Sequence, residues 1–70
     1  MASVRVINIK RAEQDRVTLT IEGATSIGTA DLEITISEQG SRELNEKQAM
    51  LDCLELLEQF AEALCVRLKQ

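Results

Sequence analysis

Seventy residues with a formal net charge of −4, 44% of them apolar, form one small acidic domain (residues 1–70) with no room for a second. The chain has one aromatic residue, Phe60, and no His, Trp, Tyr or Pro, which excludes a histidine general base, a two-histidine metal site and an aromatic platform for stacking bases. The acidic balance argues against electrostatic attraction to nucleic acid or an anionic membrane, and the apolar fraction is that of a folded chain.

Val4 to Ile9 runs Val-Arg-Val-Ile-Asn-Ile, β-branched except at Arg5 and Asn8, and predicts a first strand. Val4 and Val6 share one phase while Ile7 and Ile9 share the other, so this strand carries either a bulge or burial on both faces. Lys10 to Asp15 is polar apart from Ala12 and contains no Gly, which predicts a loop longer than a two-residue hairpin turn. Arg16 to Glu22 is the clearest strand, with Val17, Leu19 and Ile21 alternating against Thr18, Thr20 and Glu22. Gly23 to Thr29 is a small-residue loop bracketed by glycines. In a third strand, Leu32, Ile34 and Ile36 alternate with Asp31, Glu33, Thr35 and Ser37, and Gly40 supplies the turn that follows.

The remainder predicts a helix. Asn45 is an N-cap candidate with Gln48 as its capping-box partner, and Ser41 is a competing start one turn earlier. Met50, Cys53, Leu54, Leu57, Phe60, Ala61, Leu64 and Leu68 recur at three- and four-residue steps as an amphipathic stripe. About 25 helical residues would span about 37 Å, about twice the length of a six-residue strand. The expected architecture is therefore α+β: a three-stranded antiparallel meander followed by one long C-terminal amphipathic helix packed on one face (β-β-β-α).

On a helical wheel the apolar arc covers roughly half the circumference, from Leu56 through Leu57 to Cys65, with Leu51 and Val66 outside it. One face of a small sheet covers neither that width nor that length. A core of this size rarely supplies more than about 3–5 kcal/mol, so the surplus apolar surface predicts self-association with a second copy. The expected seam draws on Val4 and Val6 or Ile7 and Ile9, whichever pair faces away from the helix, together with Leu51 and Leu56.

The two cysteines, Cys53 and Cys65, fall about three turns apart on one helix, about 18 Å between Cα atoms, too far for a disulfide. Isolated thiols are usual in a reducing compartment. The chain also opens without a signal-like apolar run and contains no membrane-length apolar segment, so the expected location is the cytoplasm with no membrane partner. Cys53 stands beside Asp52 and Glu55 without an electropositive neighbour. Cys65 has Arg67 and Lys69 nearby but lies at the negative end of the helix dipole. Both are read as structural, and no catalytic residue is predicted.

Asp31, Glu33 and Glu22 are of the type that binds hard cations, but acidic residues on the wet face of a strand are ordinary, so neither metal nor cofactor is expected. Arg5, Lys10, Arg11 and Arg16 gather near the first hairpin, where Glu13 and Asp15 dilute them. No direct nucleic-acid contact is expected. The most specific pattern is an acidic ridge on the helix. Asp52, Glu55, Glu58 and Glu62 follow three- and four-residue spacing over about 15 Å, and Lys47 is the one basic residue between Asn45 and Val66. The ridge is either a solvated face or a surface for a partner. The expected function is a small non-enzymatic interaction module, a homodimer that binds another protein through its helix or a sheet edge. The competing expectation is an acidic inhibitor or decoy, of the phage or mobile-element type, in the basic nucleic-acid groove of a larger machine.

Overall fold

A computed structural model describes residues 2–70. Strands β1 (Ser3–Ala12), β2 (Arg16–Thr25) and β3 (Gly28–Ser37) form one antiparallel sheet in the order β1-β2-β3, followed by helix α1 (Arg42–Leu68). This is the predicted β-β-β-α arrangement. Strand β2 is central, and its inward residues Val17, Leu19 and Ile21 face Ile36, Ile34 and Leu32 across the β3 ladder. These residues, Leu32 only partly buried, make the core with Ala49 and Cys53 of α1, and Leu19 is fully buried at its centre.

The phase change in β1 resolves as a bulge. Val6 pairs with Ile21 and Asn8 with Thr20, so Ile7 is the extra residue. Beyond it Ile9 pairs with Leu19, which places Val4, Val6 and Ile9 on the same helix-facing side as their β2 partners. The expectation that either Val4 and Val6 or Ile7 and Ile9 faces away from the helix is therefore corrected. Ile7 alone leaves that face, and it is 44% exposed.

Both loops are shorter than the segments predicted for them, although the first, at three residues, is longer than a two-residue turn, as expected. Lys10 and Arg11 pair with Thr18 and Val17 as strand residues, which leaves Glu13, Gln14 and Asp15 as the loop, with Gln14 and Asp15 at φ 56° and 59°. The expected loop from Gly23 to Thr29 is likewise mostly ladder. Gly23, Ala24 and Thr25 pair with Ala30, Thr29 and Gly28, and only Ser26 and Ile27 turn. The Thr25 hydroxyl closes this turn, accepting from the Ile27 N–H at 3.3 Å and donating to the Gly28 carbonyl at 3.1 Å.

Helix α1 begins at the earlier of the two expected starts. Ser41 is the N-cap, with its Oγ accepting from the Leu44 N–H at 3.2 Å. The buried Asn45 instead ties down the β3–α1 connection. Its Oδ1 accepts from the Gln39 N–H at 2.8 Å and its Nδ2 donates to Glu38 Oε1 at 2.9 Å. Gly40, at φ 101°, makes the left-handed turn and donates its N–H to the same Glu38 oxygen at 3.0 Å. From there α1 runs back over β3 and β2.

Candidate functional site

The helix covers its sheet over only half its length. Asn45, Ala49 and Cys53, spaced four residues apart, are its buried side chains, whereas every residue from Leu54 to Gln70 is exposed. An uninterrupted stripe does reach Leu68, as the periodicity predicts, but the sheet does not follow it.

Where helix and sheet part, a cleft of about 440 Å³ opens. Val4 of β1, Ile21 and Gly23 of β2, Ala30 and Leu32 of β3, and Cys53 and Leu57 of α1 line it. Gly23 and Ala30 are directly opposed in the ladder, so small residues floor the cleft that Leu57 also lines. A smaller cleft of about 190 Å³ is lined by Val4 and Ile21 with Met50, Cys53, Leu54 and Leu57. Past the clefts, Phe60 is 60% exposed and Leu64 49%. Together these residues form one apolar face that continues from the sheet floor onto the free half of the helix.

The expected seam residues divide. Val4 is on this face. Val6 and Ile9 are half-buried against the core beside it, Ile7 is the exposed bulge residue, and Leu51 and Leu56 are exposed on the helix. A rotation of 100° per residue puts Leu56 at the edge of the sheet-directed arc and Leu51 almost opposite Cys53. The opposed small pair Gly23 and Ala30 was hidden in the sequence, because its effect depends on a register that composition does not reveal.

Of the acidic ridge, Glu55, Glu58 and Glu62 stand on the far side of the helix from Cys53, while Asp52 flanks the buried face. Asp52 is half-buried and accepts from Gln48 Nε2 at 2.9 Å, and Glu55 accepts from Gln59 Nε2 at 3.4 Å. Glu58 and Glu62 are exposed. The two ion pairs among the described residues lie elsewhere, Arg5–Glu22 at 2.9 Å and Arg42–Glu46 at 3.0 Å. On the outer sheet face Glu22 is opposed by Asp31 on one side and by Arg5 on the other, and the Arg5 guanidinium reaches it. Among the described residues no three His, Cys, Asp or Glu side chains are placed to hold a metal ion.

Cys53 is buried, Cys65 is exposed, and both are free thiols. At the opposite end of the sheet, Ile9, Lys10, Arg11, Glu38 and Arg42 surround a polar notch beside the start of α1. Glu38 has its carboxyl held below the usual range. The Asn45 side-chain hydrogen bond is the main cause, helped by the Gly40 N–H and the charge of Arg11. Among the described residues no helix is long and apolar enough to cross a membrane. Comparison with protein-family models, with curated proteins and with solved structures finds no match.

Proposed function

We propose that this protein is a small non-enzymatic interaction module that works as a homodimer and binds another protein through its helix or a sheet edge. One observation carries this reading: the free half of α1 presents an apolar face that its own sheet does not cover. Exposed apolar patches of that kind mark interaction surfaces in soluble proteins. The unpaired outer edges of β1 and β3, ten residues each, offer a further mode of attachment by strand addition. The test is affinity purification of the tagged protein from its host, followed by titration of the purified partner. A stoichiometric protein partner that binds the isolated module is the expected result. Absence of such a partner, together with a metal or small molecule that raises the melting temperature, overturns the reading.

A second reading is supported by the acidic ridge, whose four carboxylates have no ion-pair partner among the described residues. In this reading the protein is an acidic decoy that occupies a basic nucleic-acid groove. Its partner would be released by salt, because the contacts would be exposed charge pairs.

A further inference from the structure

The surface area of the protomer is too large for a molecule of its mass. A compact monomer of this size exposes about 4,400 Å², whereas this protomer exposes 5672 Å², an excess of about 1,300 Å². Its radius of gyration is 13.7 Å, against about 11 Å for a compact chain of this length. The half-helix that stands off its sheet contributes to both, since every residue from Leu54 to Gln70 is exposed. A symmetric pair that covered the excess on each copy would bury about 2,600 Å² in total, within the roughly 2,000–5,000 Å² range of obligate homodimers.

The shape and chemistry of the same face select the occupant. It holds a hollow, the cleft floored by Val4, Ile21, Gly23 and Leu32, and next to it a projection, the helix segment carrying Leu57, Phe60 and Leu64. A two-fold interface needs that pairing, since each copy must offer what the other fills. The face is also free of carboxylates. At 100° per residue, Glu55, Glu58 and Glu62 lie on the side of α1 away from Cys53, so two copies can meet without burying like charges.

We infer that a second copy of this chain covers this face, with the Leu57–Leu64 segment of each protomer lying in the cleft of the other. The inference rests on the reading of the protein as an interaction module and names the partner of its apolar face, leaving the acidic ridge and the sheet edges free for a different protein. Because each copy carries a net charge of −4, association is driven by apolar burial against charge repulsion. It therefore tightens as salt is added, the opposite of a basic partner on the ridge.

The test is sedimentation equilibrium of the full chain and three variants at low and high salt, with circular dichroism to follow the fold. Wild type is expected at twice 7.8 kDa at micromolar concentration. Phe60→Asp and Val4→Asp alter side chains that are 60% and 61% exposed in the protomer. They are expected to sediment as folded monomers. Leu51→Asp, on the back of the helix, is expected to remain dimeric. In a mixed dimer of labelled and unlabelled copies, intermolecular NOEs should connect the Phe60 ring to the methyls of Val4 and Leu32. A monomeric wild type at 100-fold higher concentration overturns the inference, as do Phe60→Asp and Val4→Asp variants that still pair or NOEs that run between strand edges. Capture of a host protein by a monomeric wild type would overturn this inference and the homodimer in the proposed function, while leaving the binding of another protein standing. An apolar ligand in the cleft would appear as a monomer whose melting temperature rises with that ligand, which also overturns it.

Discussion

Asn45 and Glu38 show how much one hydrogen-bonded pair can organise. Asn45 satisfies the Gln39 N–H and donates to Glu38, which in turn accepts from Gly40, so three residues of the β3–α1 connection depend on one amide. Replacing Asn45 with alanine removes both bonds in a buried position and is expected to cost about 1–3 kcal/mol, read from urea unfolding. The same change is expected to return the Glu38 carboxyl toward its ordinary range, seen by NMR titration. Because folding lowers the Glu38 pKa, its stabilising contribution is complete above the ordinary glutamate range and is lost as pH falls through the lowered value. The two thiols separate in the same way. Cys53→Ala opens space in the core and should cost about 1 kcal/mol, whereas Cys65→Ala, at an exposed site, should cost little. The sequence marked Asn45 as special through its helix-start preference but misassigned its work. The relevant partner, Glu38, lies seven residues earlier in a turn whose path only Gly40 hints at.

At the level of elements, alternation in β2 and β3 fixed both the strands and their inward faces, because every second residue from Val17 to Ile21 and from Leu32 to Ile36 is aliphatic. The phase change in β1 was legible as an irregularity, and pairing chose the bulge. Removing Ile7 leaves Val6, Asn8 and Ile9 in unbroken alternation against Ile21, Thr20 and Leu19. That deletion is expected to fold with a stability change within about 1 kcal/mol. Deleting Thr20 instead turns Ile21 to the wet face and should prevent folding, as circular dichroism would show. The turn at Ser26 and Ile27 lies inside the loop predicted from Gly23 to Thr29, but its tightness was not legible, because neither residue adopts a positive φ and no glycine marks the two turn positions. On α1, the triple change of Glu55, Glu58 and Glu62 to Gln removes two like-charge contacts, Glu55–Glu58 and Glu58–Glu62. It should raise stability by about 0.4–1 kcal/mol in thermal unfolding. A more stable variant that keeps its partner identifies the ridge as a solvated face, and one that loses its partner identifies a recognition surface.

For the whole molecule, the mismatch between a 27-residue helix and ten-residue strands was visible in the hydrophobic periods, but the place where the two part was not. Helical periodicity reports which side of α1 is apolar and says nothing about where its sheet ends. The parting point falls at the cleft lined by the small opposed pair Gly23 and Ala30, on a helix that follows the Gly40 turn. A protomer that buries only the first half of its helix keeps Leu57, Phe60 and Leu64 in water, so its stability should be coupled to pairing. In a transition from folded dimer to two unfolded chains, each tenfold rise in protein concentration adds about 1.4 kcal/mol per dimer. The urea midpoint of the wild type is therefore expected to climb steadily over a hundredfold concentration range, while that of Phe60→Asp stays fixed at a lower value. A wild-type midpoint independent of concentration, with the slope of the transition unchanged, would show that the exposed half-helix contributes nothing to holding the fold together.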